Sequence, residues 1–301
     1  MTNFISLNLK SIGQVMLQGN PITGLLFLLG IAVAAYADNS IELLLSTLLC
    51  TLVANLVAIA LKAKFEHIND GLYGYNGTLI GIAGAVFFEA SFKMYGLVTL
   101  GTLVSVGIMF FMLEKLSRKI SFPALTFPFV LITWVLFLIV HSSLPSLLKK
   151  TSPLSVDSFI LFGFLKSVSQ VFVLENFMTG ILFLVGIFIN SLASGISTVI
   201  GGGVFLALGV YLGEDSELIA HGVFGYNAVL TAITLGSVFF KTKKEAIIYT
   251  AIGLGITLIY QNVLSSCFNG VGLPILTAPF VFAVWSVLLL RKIGLSKKTK
   301  V

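Results

Sequence analysis

The stretch PALTFPFVLITW, residues 123–134, decides the organisation of this chain, because it recurs as PILTAPFVFAVW at residues 274–285. Seven of the twelve positions are identical, at a constant offset of 151 residues. The shared residues include two prolines, one threonine and the only two tryptophans of the chain. The recurrence predicts that the chain contains two copies of one structural unit.

Two further pairs of motifs extend the repeat along the chain. QVMLQGNPITGLLFLLGI at residues 14–31 matches QVFVLENFMTGILFLVGI at residues 170–187 in ten of eighteen positions, at an offset of 156. GLYGYNGTL at residues 71–79 matches GVFGYNAVL at residues 222–230, again at an offset of 151. Because the three pairs occur in the same order, we predict two repeats, residues 1–150 and 151–301.

The composition is that of an integral membrane protein. Hydrophobic residues make up 57% of the chain and charged residues only 10%, and the mean hydropathy is +1.05. A soluble domain normally has about 25% charged residues. Continuous apolar runs such as residues 41–62 approach or exceed the roughly 20 residues that a helix needs to cross the hydrocarbon core of a bilayer. We therefore predict an all-α protein embedded in a lipid bilayer.

Each repeat offers five long apolar segments. They fall at residues 21–37, 41–62, 72–88, 94–114 and 126–141 in the first repeat, and at 177–193, 196–212, 221–240, 246–263 and 277–290 in the second. A shorter segment precedes each set, at residues 4–17 and 158–173. We predict five transmembrane helices in each repeat, together with short half-spanning or re-entrant helices.

The basic residues indicate the orientation of the repeats. With the N-terminus inside, fourteen of the eighteen Lys and Arg residues fall on the inner side, and the outer side keeps only Lys93, Lys149, Lys150 and Lys166. This is the bias expected of short cytoplasmic loops. Because five is an odd number, the repeats would enter the membrane in opposite orientations, with both termini cytoplasmic and the connector at 142–170 outside. The net charge of +6 then follows from this bias, and we predict no nucleic-acid partner.

The distribution of polar groups favours a passive pathway for a small neutral solute. The charged residues lie at or near segment ends, whereas ion-coupled carriers usually place one within the membrane. His67, His141 and His221 are interpreted as boundary residues that face water or headgroups, which argues against an ammonia channel. Walker-loop, HExxH and CxxC motifs are absent from the sequence, so we predict no catalysis, no cofactor and no metal site.

At its three repeated motifs the chain resembles the urea transporter family, in particular its bacterial members. The resemblance rests on NPITGLLFLLGI after Gln14 and Val15, on GLYGYN and GVFGYN, and on LTFPF and LTAPF. It implies a homotrimer in the bacterial inner membrane, with one urea channel inside each protomer along the interface of the two repeats. It also implies narrow slots lined by aromatic and aliphatic side chains, with rows of oxygen acceptors alongside.

The resemblance assigns roles to residues of this chain. The constriction would consist of Thr126 and Thr277, although each hydroxyl could instead only cap its helix. The slot walls would be Tyr75, Leu79, Tyr226 and Leu230, completed by Val15 and Val171. The family often has phenylalanine where this chain has tyrosine, so we expect the two tyrosine hydroxyls to be hydrogen-bonded or to face water.

The resemblance places glutamine side chains at the pore mouths, Gln14 at the first and Gln170 at the second. Glu175 is a further candidate for the second mouth, and the alternative is a solvated loop carboxylate. We interpret Asn76 and Asn227 as structural residues that bond to the backbone across the repeat. Other hypotheses are a channel for ammonia or another small neutral amide, and the membrane subunit of an ATP-driven permease.

Overall fold

The computed structural model describes residues 3–116, 122–149, 160–240 and 242–298. These residues are helical apart from loops and one isolated bridge between Phe88 and Leu148. The predicted boundary between the repeats, at residues 150 and 151, lies outside the described residues. So do five basic residues used to assign the orientation, which are Arg118, Lys119, Lys150, Lys241 and Lys300.

Seven α-helices lie in the described part of each half. In the first half they are α1 Phe4–Gln14, α2 Pro21–Ala37, α3 Ile41–Ala60, α4 Phe65–Asn69, α5 Gly74–Phe87, α6 Phe92–Phe110 and α7 Phe127–Ser143. In the second half they are α8 Ile160–Gln170, α9 Phe177–Asn190, α10 Leu192–Leu212, α11 Ser216–Ala220, α12 Tyr226–Ile233, α13 Lys243–Phe268 and α14 Ala278–Lys298. Short π-helices at Phe111–Leu116 and Thr234–Val238 continue α6 and α12.

Each predicted apolar segment coincides with a helix, and the two short segments correspond to α1 and α8. Among the described residues, four helical segments are long and apolar enough to cross a membrane, namely Ile41–Ala60, Phe92–Leu116, Leu192–Leu212 and Lys243–Phe268. Shorter apolar helices include Pro21–Ala37 and Phe127–Ser143. A helix of 17 residues is about 26 Å long at 1.5 Å per residue, slightly less than the hydrocarbon core of about 30 Å. The chain is a helical membrane protein, and five crossings per half remain a prediction.

Matching caps begin the helices that carry the motif shared by residues 14–31 and 170–187. Asn20 accepts a hydrogen bond from the backbone N–H of Ile22 at 2.8 Å, immediately before α2. Asn176 accepts one from the N–H of Thr179 at 3.0 Å, immediately before α9. Asparagine is among the preferred N-cap residues because its side-chain oxygen satisfies a free N–H of the first turn. The asparagine shared by the two copies of this motif therefore has a local structural role, which is to cap the helix that follows.

The helices pack in the same pattern in both halves. α5 lies against α3, α6 and α7, and α12 lies against α10, α13 and α14. Close approach to α3 needs glycine at position 77, because a Cβ there would lie 2.7 Å from the carbonyl oxygen of Cys50 and 2.9 Å from the Cβ of Ala54. Small residues at such contacts are typical of helix packing in membranes. α5 and α12 are thereby buried at the centre of their halves.

The two halves meet where α2 packs against α9. The rings of Phe27 and Phe183 lie 4.6 Å apart between centroids. Thr23 donates a hydrogen bond to the carbonyl oxygen of Gly186 at 2.8 Å, and Thr179 donates one to that of Gly30 at 2.7 Å. These reciprocal hydrogen bonds between buried residues hold the halves in a fixed register.

Candidate functional site

The loops before α7 and α14 place a threonine just ahead of each helix. Leu125 and Leu276 adopt left-handed backbone conformations, with φ of 47° and 49°. Such conformations cost about 1–3 kcal/mol for residues other than glycine and persist where the surrounding structure fixes them. A proline occupies the second position of each helix, where its missing N–H is tolerated. The threonines therefore lie at helix starts, as the sequence predicted.

Thr126 and Thr277 contact each other directly. Their hydroxyl oxygens lie 2.7 Å apart, and each residue is only 2% exposed. Thr126 makes no capping hydrogen bond through its side chain, so the alternative that its hydroxyl only caps α7 is wrong. The paired hydroxyls place oxygen donors and acceptors at the meeting point of the two halves.

The caps of α7 and α14 come from asparagines on other helices. Asn76 on α5 accepts a hydrogen bond from the backbone N–H of Phe129 at 3.0 Å. Asn227 on α12 accepts one from the N–H of Phe280 at 3.3 Å. The interpretation of these asparagines as backbone-bonding residues is confirmed. Each one bonds within its own half of the chain, whereas the sequence analysis expected bonds across the repeat.

The tyrosine hydroxyls are hydrogen-bonded, as expected. Tyr75 donates to the carbonyl oxygen of Leu125 and Tyr226 to that of Leu276, both at 2.6 Å. Tyr75 and Tyr226 are 6% and 7% exposed, and their predicted partners Leu79 and Leu230 are fully buried. Each tyrosine is thus anchored to the turn that precedes a paired threonine.

A cavity of about 350 Å³ extends from Gln14 to Thr126. It brings together four predicted site residues, Gln14, Val15, Tyr75 and Thr126, and it also takes in Phe280 from the second half. Its lining residues, all in the described part of the chain, include no charged side chain. Phe280 was not among the predicted site residues, although the proline-phenylalanine pair repeated after each threonine could have indicated it.

Indole groups also tie the two repeated loops together. Trp134 donates a hydrogen bond to the carbonyl oxygen of Pro274 at 2.9 Å, and Trp285 donates one to that of Pro123 at 2.9 Å. Each tryptophan therefore bonds to the loop of the other half. The repeated residues at the two ends of the quoted stretch thus bond to each other across the molecule.

The two predicted mouth glutamines occupy equivalent positions. Gln14 donates through its amide nitrogen to the carbonyl oxygen of Asp70 at 2.8 Å, and Gln170 donates to that of His221 at 3.2 Å. Both side chains are half-buried. Because the amide nitrogen is used in this way, the amide oxygen remains as an acceptor for a solute. Val171 lies beside Gln170 and is fully buried.

Glu175 and Gln170 both contact His221, Gln170 at the backbone carbonyl oxygen and Glu175 at the imidazole ring. The carboxylate of Glu175 forms a short contact with Nδ1 of His221 and lies 3.0 Å from the ammonium nitrogen of Lys166. His221 is 2% exposed, so the prediction that it faces water or headgroups is wrong. The carboxylate of Glu175 gives the ring a partner away from water, which compensates for burial of a polar group. His141 is exposed, and its predicted position is confirmed.

The negative charge of Glu175 affects Asp38, the residue that follows α2. Partial loss of hydration and then the negative charge of Glu175 raise the pKa of Asp38 above its ordinary value, whereas Lys149 opposes the shift. The region around Glu175 therefore holds several charged groups, unlike the cavity near Thr126. Within the described ranges, no group of three His, Cys, Asp or Glu side chains is arranged to hold a metal ion.

Comparison with known proteins connects this arrangement to one family. The family model described as urea transporter matches residues 5–292. The chain is similar to urea transporter 1 of Ovis aries, with 27% identity over 300 residues that cover 95% of this chain and 77% of the relative. It is also similar to urea transporter 1 of Rattus norvegicus, with 27% identity over 305 residues and the same coverage.

Proposed function

This chain belongs to the urea transporter family, and we propose that Thr126 and Thr277 form the constriction of the passive urea pathway that it provides. The observation that carries this proposal is the 2.7 Å contact between the two threonine hydroxyls. It lies where loops from both halves meet, next to a cavity without charged lining. The pathway runs from Gln14 past Tyr75 to the threonine pair.

Urea suits such a pathway on chemical grounds. The molecule is flat and carries four N–H donors and one carbonyl acceptor, so it needs acceptors along its edges and apolar walls above and below. Threonine hydroxyls can both donate and accept hydrogen bonds. An ion entering the same space would lose its hydration without a partner, at a cost of several kcal/mol. Selectivity would therefore come from the shape of the slot and the position of the oxygens, with no reaction catalysed.

The slot walls would be completed by buried aliphatic side chains of the same repeated motifs. Val15 and Leu79 would complete the first slot around Tyr75, and Val171 and Leu230 the second around Tyr226. Both tyrosines are anchored at the turns before the threonines, which supports a slot on each side of the constriction. Gln14 and Gln170 would receive urea at the mouths.

The alternative functions have less support. An ammonia channel is expected to place imidazoles along the pathway, and no histidine lines the described cavity beside Thr126. An ATP-driven permease would need a loop that engages an ATPase, and the family match covers nearly the whole chain without such an addition. Urea transport is therefore the conclusion.

The arrangement in the membrane is also proposed. Five apolar segments per half and the distribution of Lys and Arg support two inverted repeats, divided near residues 150 and 151, with both termini cytoplasmic. The matching hydrogen bonds in the two halves agree with a duplicated unit. A homotrimer in a bacterial inner membrane rests on the resemblance to bacterial members of the family.

Stopped-flow urea efflux from proteoliposomes tests the proposal. The purified protein is compared with Thr126→Val and Thr277→Val, without an ion gradient. We expect rapid urea flux that each valine reduces, because a hydroxyl that contacts urea is replaced by a methyl group. Thr133→Val is the matched control, since Thr133 is buried in α7 and its hydroxyl has no hydrogen-bond partner. Equal flux in all three variants and the parent would overturn the constriction, and flux no faster than in empty liposomes would overturn the function.

A further inference from the structure

We propose that Asn76 and Asn227 are positioning residues for urea passage, because they cap α7 and α14 from neighbouring helices and so leave the threonine hydroxyls to pair with each other at the constriction. This inference rests on the proposed constriction at Thr126 and Thr277. Each asparagine bonds to the start of the helix that follows the threonine of its own half.

A threonine at the start of a helix usually caps that helix. At the N-cap its hydroxyl normally accepts a hydrogen bond from the backbone N–H of the second or third helical residue. In α7 the second residue is Pro128, which has no N–H. The third is Phe129, whose N–H already donates to Asn76 at 3.0 Å. The usual capping partners of Thr126 are thus absent or occupied.

The second half repeats this arrangement. α14 begins at Ala278, so its second residue is Pro279 and its third is Phe280. The N–H of Phe280 donates to Asn227 at 3.3 Å. Thr277 therefore also lacks a free capping donor in the first turn, and its hydroxyl bonds with Thr126 instead. The same device appears twice, 151 residues apart.

The asparagine amides also hold the turn itself. The Asn76 amide nitrogen donates to the carbonyl oxygen of Leu125 at 3.5 Å, and the Asn227 amide nitrogen to that of Leu276 at 3.3 Å. Asn76 and Asn227 are 1% and 0% exposed. A buried amide that loses a partner cannot turn to water for another one. Each asparagine is therefore held in one orientation, and it fixes both the helix start and the left-handed residue before the threonine.

Removing the amide would change the behaviour of the threonine. In Asn76→Ala the N–H of Phe129 would be buried without an acceptor. Rotation of Thr126 about χ1 would allow its hydroxyl to cap that N–H, which withdraws the oxygen from Thr277 and from the pathway. The variant should then resemble Thr126→Val in urea flux, although no side chain of the pathway has been changed.

A double-mutant comparison of urea flux in proteoliposomes tests this inference. We expect Asn76→Ala to lower flux about five-fold, comparable with Thr126→Val, as for the loss of one net hydrogen bond. The double variant should be no slower than the slower single variant, because each change alone already withdraws the Thr126 hydroxyl from the pathway.

Asn55→Ala is the matched control. Asn55 is also a fully buried asparagine on a helix, but it bonds with Ser11 and Asn8. Any loss of flux in this variant should combine multiplicatively with that of Thr126→Val. If Asn76→Ala does not fold, Asn227→Ala paired with Thr277→Val provides the same comparison in the other half.

The outcomes separate the two proposals. Unchanged flux in Asn76→Ala, or a loss that multiplies fully with that of Thr126→Val, would overturn the positioning role and leave the constriction intact. Unchanged flux in Thr126→Val would overturn the constriction and, with it, a role of Asn76 through that hydroxyl. Equal losses in Asn76→Ala and Thr126→Val that do not multiply in the double variant would support both.

Discussion

The hydroxyl oxygens of Thr126 and Thr277 lie 2.7 Å apart, although the residues are separated by 151 positions in the chain. Both belong to the same repeated motif, so the contact joins equivalent residues of two homologous halves. Both are 2% exposed, and a buried hydroxyl needs a partner. Each threonine provides the partner of the other.

This reciprocity predicts strong coupling between the two residues in stability. Either single change to valine leaves one buried hydroxyl without a partner and should lower the free energy of unfolding by about 1–3 kcal/mol. Changing both removes both polar groups, so the double variant should lose less than the sum of the single changes. The free energy of unfolding in detergent is measured for the parent, the two single variants and the double variant. Thr133→Val is the control for replacing a hydroxyl by a methyl group in α7. Strict additivity would contradict the pairing.

The tyrosine hydroxyls have a structural role that is separable from that of the rings. Tyr75→Phe removes a donor to the Leu125 carbonyl and should cost about 1 kcal/mol of stability, while the slot wall stays and urea still passes. Tyr75→Ala removes the wall, so the discrimination between urea and its larger analogues should fall. Flux of urea and N-methylurea, with unfolding midpoints, measures both effects. Tyr36→Phe is the control, since Tyr36 is 87% exposed.

A phenylalanine variant that abolishes urea flux while keeping its unfolding midpoint would contradict this separation. In that case the hydroxyl of Tyr75 would contact the solute itself. The equivalent comparison at Tyr226 tests the second half, where the hydroxyl bonds to Leu276 at the same distance of 2.6 Å.

The tryptophan pair should stabilise the contact between the halves. Trp134→Phe removes the indole donor to the carbonyl oxygen of Pro274 and keeps an aromatic ring near Phe268. We expect a loss of about 1–3 kcal/mol, because the carbonyl loses its partner at a partly buried site. Trp285→Phe should behave alike through Pro123. Thermal unfolding of the detergent-solubilised protein measures the loss, and unchanged midpoints in both variants would contradict this role.

The proposed second pore mouth has two candidate side chains, the neutral Gln170 and the acidic Glu175. Gln170→Leu removes an amide oxygen acceptor and should lower urea flux if that oxygen receives urea. Glu175→Gln keeps an oxygen but removes the ion pair with Lys166 and the carboxylate that contacts His221, so it should mainly lower stability. Efflux and unfolding are measured for both variants, with Gln14→Leu as the counterpart at the first mouth. If Glu175→Gln instead lowers urea flux and Gln170→Leu mainly lowers stability, Glu175 is the side chain that receives urea at this mouth.

The sequence alone predicted the helices and the positions of the repeated motifs. The bounds of α2, residues 21–37, coincide with the predicted segment. A continuous apolar run favours a helix, and the residues that start and end it lie directly beside that run in the sequence. Thr126 was placed at a helix start for the same local reason, since Pro128 fits only the first turn. Helix bounds and helix starts depend on residues that are neighbours in the sequence, so the pattern of apolar residues and prolines predicts them.

Only the tertiary structure decided what the polar side chains bond to. The cap of α7 by Asn76 joins residues 53 positions apart, and the contact of Thr126 with Thr277 crosses between the halves. The burial of His221 against Glu175 was likewise missed, since a histidine at a segment end looks exposed in the sequence. A hydrogen bond requires its donor and acceptor to lie about 3 Å apart. For residues distant in sequence, the packing of the helices decides which groups come that close. The apolar helices themselves follow from the local composition.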